Sequence, residues 1–535
     1  MRSVLGCFEP LLLILLGMMI PVASMASGNL RRVKHIIIVM QENHSFDNYF
    51  GALAYAPGSP YHKGRPARRG RPSGCRHNDH TCVDGLSCSV DTAGNFSCSN
   101  SNIDDDGSIV HAFHDTRRCV LPDLAHGWPS THREMNFNNP NDALLHALRD
   151  GFVRINDLSE QPDLLGENPT EDQTMAFYNQ DQIPFYYDLA QKFAISDRYF
   201  SSLLGPTFPN RSYLMAATSF GHLTTSDIVP PPGGYRPITG TIFDLMDAHG
   251  VTWADYFQDV PQGADFRPFP FPFYPGVSLD PHFLPLPVFL GQAGGAMGLP
   301  PLPQVSFVDP NFGFGGLVVE NDEHPPTDIQ RGQAFVSQVV NAIRNGPYWQ
   351  DSIIFITYDE HGGFYDHAPP PAAPQGGAPN PDGINPGQCE DLSNPPASEQ
   401  PGGGAECSYN FTIPADSSVK NAEALCPQLV ADPTGPYPAE CANFNQLGVR
   451  VPFIAVSPFS KPHYVSHIVG DHTSLLAFIE TAFMADDEST TVVRPHLTLR
   501  DLYASTLEDM FDFNRAPSLD TSIGQAAPPL VDCTP

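Results

Sequence analysis

Two short segments of the chain each contain an uninterrupted run of large apolar residues. The first run covers residues 36–39 (IIIV), and the second covers residues 353–357 (IIFIT). Runs of this length without polar alternation predict strands that are buried on both faces, as in the middle of a parallel sheet. The two runs therefore predict two central strands.

Polar residues come directly after both runs and predict a shared site. Glu42 and Asn43 come after the first run, and Asp359 and Glu360 come after the second. In open α/β sheets, ligands bind beyond the carboxyl ends of the strands. Adjacent carboxylates without a counter-ion would repel each other and protonate, and a divalent cation resolves that conflict. Taken alone, the first segment could equally be a polar turn that leaves a buried strand.

Weaker patterns predict the other regular elements. The helix expected at Ile329–Arg344 carries its apolar residues on one face and has Thr327 or Asp328 as its cap. The further predictions are a helix at about 209–220, a helix and a strand within 181–200, and strands at 251–257, 304–308 and 451–457. Alternating strands and helices predict an α/β fold with a largely parallel sheet and helices on both faces.

Thr207 lies just before the helix predicted at about 209–220, after a Gly-Pro turn. A hydroxyl at a helix N-terminus lies beside free backbone N–H groups and the positive end of the helix dipole, which favour an alkoxide or a phosphate. The alternative is that Thr207 simply caps the helix, and on this segment alone capping is the commoner role.

Two histidines in loops are further candidates. His126 lies beside Trp128, and His324 lies in an acidic loop ahead of the helix that begins at Ile329. A structural role for His126 and a surface position for His324 are the alternatives.

Three stretches break the α/β pattern and predict insertions into a single domain of residues 27–535. They cover about 52–120, 258–303 and 369–445, and all are rich in proline or glycine. The middle stretch is dominated by phenylalanine and proline, which predicts an apolar rim or lid, or a buried wrap. The first and third contain nine of the eleven cysteines (five and four) without a Cys-x-x-Cys pair. Disulfides in an exported protein are therefore expected rather than a zinc site.

Residues 1–26 resemble a secretion signal. Arg2 is followed by an apolar run at 11–20 and by small residues at 24–26. A secreted, extracellular or periplasmic protein is the expectation, and an uncleaved anchor is the alternative. The net charge of −31 argues against nucleic-acid binding, which needs a basic surface.

The candidate metal ligands are Glu42, Asn43, Thr207, Asp359 and Glu360. All five offer oxygen, which favours calcium, magnesium or manganese over a thiolate-type zinc site. A divalent metal ion bound to Thr207 would lower the pKa of its hydroxyl and make it a nucleophile. The chemistry predicted is metal-assisted hydrolysis of a phosphoester through a phospho-threonine intermediate.

Four motifs resemble one known family. QENHSFDNYFG, GPTFPNR, YDEHGGFYDHAPPP and GVRVPFIAVSPFSK are similar to motifs of the non-specific phospholipase C and acid phosphatase family, in the alkaline phosphatase superfamily. They occur in the family's order between residue 33 and about 485. The resemblance implies an alkaline-phosphatase-like fold, the metal ligands named above, and Thr207 as the nucleophile. It also implies that His126 and His324 lie around the phosphate as binding groups or proton donors.

The resemblance also bears on the substrate. Phospholipase C members have threonine at the nucleophile position and the acid phosphatase branch has serine, so Thr207 favours phosphodiesters such as phosphatidylcholine. Phospholipid, with transient contact to a membrane surface, is then the expected partner. A broad acid phosphatase and an inactive binding module are the alternatives. TFPNR also matches the spacing of a sulfatase motif, but threonine cannot form the formylglycine that those enzymes need.

Overall fold

The structure is a computed structural model. It describes residues 30–65, 74–104, 106–119, 123–138, 147–156, 171–219, 225, 230, 233–235, 237, 239–314, 320–374, 444–485, 494–520 and 522–526. The predicted signal peptide at 1–26 and most of the predicted insertion at 369–445 lie outside the described residues.

The strands of the described residues fall into one large sheet and several two-stranded pieces. They are β1 His35–Gln41, β2 His62–Lys63, β3 Cys82–Val83, β4 Cys88–Val90, β5 Phe96–Cys98, β6 Ser101–Ile103, β7 Ile109–His111, β8 Phe113–His114, β9 Ala176–Phe177, β10 Ala194–Ser196, β11 Trp253–Phe257, β12 Phe283–Pro285, β13 Val305–Val308, β14 Ser352–Tyr358, β15 Phe453–Val456 and β16 Val465–Ser466.

The helices lie between these strands. They are α1 Phe46–Phe50, α2 Trp128–Met135, α3 Phe152–Ile155, α4 Pro184–Lys192, α5 Thr207–Ala216, α6 Ile242–His249, α7 Leu286–Ala293, α8 Ile329–Arg344, α9 His472–Phe483 and α10 Leu499–Tyr503. Short 3₁₀ turns occur at Leu53–Tyr55, Glu171–Met175, Gln262–Asp265, Trp349–Asp351 and Glu508–Met510.

The large sheet has eight strands in the order β12-β11-β13-β1-β14-β15-β10-β16. Strand β15 runs antiparallel to both of its neighbours, and the other pairings in this sheet are parallel. The prediction of an α/β fold with a largely parallel sheet is therefore confirmed. Reversal of β15 is a tertiary feature, because an apolar run indicates burial on both faces, and β15 is buried on both faces although it is antiparallel.

The two apolar runs form neighbouring central strands. β1 and β14 pair in parallel over their full length, from His35 opposite Ser352 to Gln41 opposite Tyr358. Every residue of β14 is buried, and in β1 all but His35 are buried. Because β1 and β14 pair in register, the residues immediately after the two strands lie side by side.

Helix α8 has the predicted bounds, and the Asp328 side chain caps it by accepting from the backbone N–H of Gln330. Helix α5 begins earlier than predicted. Thr207 is its first residue and Pro206 is the capping position, so Thr207 does not act as the cap.

In its described residues the first predicted insertion, about 52–120, contains small two-stranded sheets and disulfide bonds. Cys75 bonds to Cys82 and Cys88 bonds to Cys98, which confirms disulfides in this stretch. Over the described residues, every helix falls short of the length and apolarity that a membrane crossing requires.

Candidate active site

The polar residues after β1 and β14 meet at the carboxyl edge of the sheet. The backbone N–H of Asn43 donates to Asp359 Oδ1 at 3.3 Å, and the N–H of Glu360 donates to the same oxygen at 2.7 Å. Glu42, Asn43, Asp359 and Glu360 are all buried. The structure thus brings together the four predicted ligands that lie after the two strands.

Arg211 joins two of these residues and was not among the predicted site residues. Its guanidinium lies 3.0 Å from Glu42 Oε1 and 3.3 Å from Asp359 Oδ2. It also donates to Gln262 Oε1 at 3.0 Å and lies over the ring of Phe312. A buried cation between two buried carboxylates offsets part of their repulsion. One signal for Arg211 existed in the sequence, because it lies four residues after Thr207 and hence on the same face of a helix.

Asn43 is buried in a strained conformation without side-chain partners. Its φ is 66°, in the left-handed region that few residues other than glycine adopt. Among the described residues, neither Oδ1 nor Nδ2 of Asn43 has a hydrogen-bond partner. Buried amides are nearly always hydrogen-bonded, so an unpaired carboxamide oxygen beside carboxylates is an available ligand.

Glu360 has one oxygen occupied and one free within the described part of the chain. Oε2 accepts from the backbone N–H of Gly362 at 2.8 Å and lies 3.2 Å from His361 Nδ1, whereas Oε1 has no partner. His361 in turn contacts Glu134 Oε2 through Nε2 at 2.7 Å. Burial opposes the charged imidazole, but Glu134 and Glu360 raise the pKa of His361 to about 10. His361 and Glu134 therefore orient Glu360.

The Asp359 carboxyl has a raised pKa because it is buried beside two other carboxylates. Burial raises the pKa of its carboxyl to about 7 although the Arg211 guanidinium lowers it, and the nearby Glu42 and Glu360 raise it further. A carboxylate in this environment gains from another cation. The Asp359 carboxyl and the unpaired oxygens of Asn43 and Glu360 are buried oxygen donors, the type of ligand that a hard divalent metal ion prefers.

Thr207 lies at the mouth of this cluster. It lines a cavity of about 280 Å³ together with Glu42, Arg211 and His324. Arg211, one helical turn from Thr207, lines the same cavity and contacts both Glu42 and Asp359.

The backbone donors at the start of α5 are fewer than predicted. Pro209 has no N–H, and the N–H of Phe208 donates to Thr225 Oγ1 at 3.4 Å. The start of a helix usually offers several free N–H groups to an anion. Here the positive charge facing the cavity comes chiefly from side chains.

His126 and His324 lie close together. Their ring centroids are 6.0 Å apart, and the ligating atoms of Asp123, His126 and His324 lie within 4.8 Å of one another. Burial opposes protonation of both rings. Glu360 and Asp123 nevertheless raise the pKa of His126 to about 9, and Asp123 and Glu42 raise that of His324 to about 9. Both raised pKa values favour the protonated, positively charged form of the rings at neutral pH.

Ser45 and Asp47 come after Glu42 and Asn43 in the same motif, and both have structural partners. The hydroxyl of Ser45 donates to the carbonyl oxygen of Tyr365 at 2.8 Å, and Asp47 forms an ion pair with the buried Arg450 at 3.0 Å. These contacts fix the segment that presents Asn43 to the site.

A phosphoesterase family model matches residues 33–485 of the chain. The non-specific phospholipase C1 of Arabidopsis thaliana is 28% identical over 91% of this chain and 72% of its own length. The non-specific phospholipase C6 of the same plant is 31% identical over 65% of this chain and 54% of its own length. Phospholipase C B of Mycobacterium tuberculosis is 27% identical, covering 95% of this chain and 84% of its own.

A solved structure, the crystal structure of Ps i-CgsB, aligns with 57% of this chain and 67% of its own. Identity is 12% and the TM-score is 0.28, which is too low to support an argument.

Proposed function

The chain belongs to the phosphoesterase family and is a hydrolase of phosphoric ester bonds, and from this premise we propose that it is a secreted, metal-dependent phosphodiesterase of the phospholipase C type. Thr207 is the proposed nucleophile, and phosphatidylcholine represents the proposed substrate class. The observation that carries the proposal is one cavity lined by Thr207, Glu42, Arg211 and His324. The relatives named phospholipase C support the substrate class.

In the first step the Thr207 hydroxyl releases its proton to solvent, its Oγ1 atom attacks phosphorus, and the bond from phosphorus to the glycerol oxygen breaks. The departing oxygen takes a proton from an imidazolium, and His324 is the proposed donor because it lines the cavity with Thr207. His126 and Arg211 offset the charge on the phosphoryl oxygens. Diacylglycerol leaves, and the phosphorylated headgroup is bonded to Thr207.

In the second step water attacks phosphorus, the bond to Thr207 Oγ1 breaks, and that oxygen takes up a proton from solvent. The neutral imidazole produced in the first step accepts the proton of that water, so the protonation state of the histidine is restored. The products are the phosphorylated headgroup and free Thr207. The protein's part in both steps is to position charged groups around one phosphorus atom.

We further propose that Glu42, Asn43, Asp359 and Glu360 hold a divalent metal ion, with Thr207 Oγ1 as a fifth ligand. When bound, the ion would lower the pKa of the Thr207 hydroxyl and neutralise charge on a phosphoryl oxygen. The unpaired buried oxygens of Asn43 and Glu360 support this assignment. Calcium, magnesium, manganese and zinc are the ions to test.

The proposal also includes the fold, the domain bounds and the secretion of the chain. We assign the mixed α/β sheet to the alkaline-phosphatase-like folds, and residues 27–535 to one domain after a signal peptide at 1–26. Secretion is supported by the disulfides Cys75–Cys82 and Cys88–Cys98, which persist in oxidising compartments.

Thr207→Ala tests the nucleophile. We expect turnover of a chromogenic phosphodiester and of phosphatidylcholine to fall by at least about a thousandfold, because covalent catalysis is lost, while the circular dichroism spectrum is unchanged. A chromogenic phosphomonoester assayed in parallel distinguishes an acid phosphatase, which would hydrolyse it faster than either diester.

Thr481→Ala is the matched control. Thr481 lies in α9, where its hydroxyl donates to the carbonyl oxygen of Ala477. The substitution therefore removes a threonine hydroxyl outside the cavity. Acid-quenched wild type should also carry the phosphorylated headgroup on the peptide that contains Thr207. Full activity in Thr207→Ala, or a label on another residue, would exclude the proposed mechanism.

A further inference from the structure

The loop at residues 267–280 lies beside the candidate active site and presents large apolar side chains to solvent. We propose that this loop docks the protein on the surface of a zwitterionic phospholipid bilayer. The inference rests on the proposed function, because a lipid substrate must be reached in a membrane. It adds the surface that makes the contact.

The loop is closed and braced at its base. The backbone N–H of Asp280 donates to the carbonyl oxygen of Pro268 at 2.9 Å, and the Arg267 guanidinium pairs with the Asp280 carboxylate at 2.9 Å. Four prolines, at 268, 270, 272 and 275, restrict the backbone between these ends. A braced loop loses little conformational entropy when it binds a surface.

The aromatic residues of the loop divide into an inner and an outer set. Phe271 is 5% exposed and belongs to a small cluster with Ala264 and Phe283. Phe273 stacks on Phe271 with centroids 5.2 Å apart and is 46% exposed, and Leu279 is 45% exposed. The buried ring of Phe271 packs against the exposed ring of Phe273 and restricts its position.

The apolar surface continues to the mouth of the cavity. Phe271 and Phe314 both line the cavity that contains Thr207. Their ring centroids are 5.9 Å apart, and Phe314 is 40% exposed. A lipid lifted from a bilayer at Phe273 would therefore meet Phe271 and Phe314 at the cavity that Thr207 lines. This continuity favours a bilayer as the occupant over a protein partner, which would close off the cavity.

The charges around the loop indicate which kind of bilayer the loop would bind. Arg267 is the only basic residue in the sequence of the loop. Its guanidinium is already shared among Asp280, Asp244 and Asp247. Anionic lipids are attracted by clusters of lysine and arginine, and the net charge of the chain is −31. The expected target is a zwitterionic surface, which aromatic side chains contact at the headgroup level.

Phe273→Ser tests the docking surface through two separate measurements. Binding is measured by sedimentation with phosphatidylcholine vesicles. Every protein in this assay also carries Thr207→Ala, so that the lipid is not hydrolysed. We expect Phe273→Ser to lower the partition coefficient about tenfold, which corresponds to about 1.4 kcal/mol. Binding should be insensitive to added salt and weaker on vesicles of phosphatidylcholine and phosphatidylserine in equal amounts.

Ile109→Ser is the control for loss of an exposed apolar side chain. Ile109 is 63% exposed on β7, in the insertion at about 52–120, and does not line the cavity. The control should bind vesicles as wild type does. In the catalytically intact background, Phe273→Ser should hydrolyse a soluble chromogenic phosphodiester at the wild-type rate and phosphatidylcholine vesicles several times more slowly.

Equal vesicle binding by Phe273→Ser and by the parent protein would overturn the docking surface, as would binding that added salt abolishes. Unchanged vesicle hydrolysis by Phe273→Ser would also overturn it. Failure of the proposed function has a different signature. In that case the wild-type protein would not hydrolyse the soluble phosphodiester, whatever the vesicle measurements show.

Discussion

Asn43 combines two features that stability alone would not favour. Its backbone is left-handed, with a φ of 66°, and its buried carboxamide has no hydrogen-bond partner within the described residues. Backbone strain of this kind costs about 1–3 kcal/mol and clusters at functional sites. An unpaired buried amide adds to that cost. A residue that is doubly unfavourable in the fold is best explained by a ligand that it binds.

Asn43→Ala tests this explanation. The substitution removes one proposed ligand oxygen without breaking a side-chain hydrogen bond, so without metal we expect only the conformational cost of alanine in a left-handed backbone, about 1–2 kcal/mol. Metal affinity should fall by at least about tenfold, because even residues behind the ligands contribute about 10–100-fold. Isothermal titration with calcium, magnesium, manganese and zinc in turn measures the change.

Asn341→Ala provides the comparison for Asn43→Ala. Asn341 lies in α8, where its side chain donates to the carbonyl oxygen of Ser337 at 2.8 Å. Metal affinity should be unchanged in that variant. If Asn43→Ala also bound metal as wild type does, Asn43 would not be a ligand.

At the scale of elements, the turn after β14 decides whether the site can form. Gly362 and Gly363 lie just after Glu360 with φ values of 62° and 75°. A Cβ atom on Gly362 would lie 2.2 Å from the carbonyl oxygen of Asn43. The turn after β14 therefore packs directly against the turn after β1, and the two ligand pairs are held by backbone contact.

Gly362→Ala should be more destabilising than an ordinary substitution of a left-handed glycine. Any such substitution costs about 1–2 kcal/mol from conformation alone. The clash with Asn43 should add about 1–3 kcal/mol of overpacking. Urea denaturation measures the free energy of unfolding, and its decrease in Gly362→Ala is the sum of both contributions.

Gly250→Ala separates the two contributions. Gly250 has a similar φ of 66° at the end of α6, and a Cβ atom there would meet nothing within 4 Å. It should show the conformational cost without the clash. Equal destabilisation in the two variants would mean that the two turns are not tightly packed.

At the scale of the whole molecule, one buried ionic cluster ties together distant segments of the chain. Arg450 is fully buried and pairs with Asp47 of α1 at 3.0 Å and with Asp366 at 2.8 Å. His367 contacts Asp47 at 2.6 Å and Asp84 at 3.5 Å. The cluster joins the segment after β1, the segment after β14 and the first insertion to the chain ahead of β15.

The protonation of His367 should make stability depend on pH. Burial opposes the charged ring, but Asp47 and Asp84 raise its pKa to about 10 in the folded protein, against about 6.5 in the unfolded chain. A raised pKa stabilises the fold fully below about pH 6.5, and this contribution is lost as the pH rises through about 10. His367→Gln should therefore lower the melting temperature by a few degrees at about pH 6 and hardly at all above about pH 10.

Differential scanning calorimetry of wild type and His367→Gln across this range is the measurement. His62→Gln serves as the control, because His62 has an exposed side chain and contacts Asp79 at 3.3 Å. Exposed pairs contribute little, so its melting temperature should track that of wild type. A constant difference between His367→Gln and wild type at all pH values would contradict the assignment of charge to His367.

The sequence by itself determined the central pair of strands and the polar residues at their carboxyl ends. Short continuous apolar runs are typical of strands in the middle of a sheet, so β1, β14 and the positions of Glu42 and Asp359 could be predicted from local pattern. The bounds of α8 were also local, because its periodicity and its cap lie within one segment.

Only the tertiary structure decided which partners each site residue has. Arg211 between Glu42 and Asp359, Glu134 behind His361, and the reversed direction of β15 all depend on residues far apart in sequence. Local pattern reports whether a side chain is buried, whereas hydrogen bonds and ion pairs depend on distances that arise when the segments pack. The physical reason is that an apolar side chain favours burial wherever the chain folds, whereas an ion pair or a set of ligands needs several groups at defined distances.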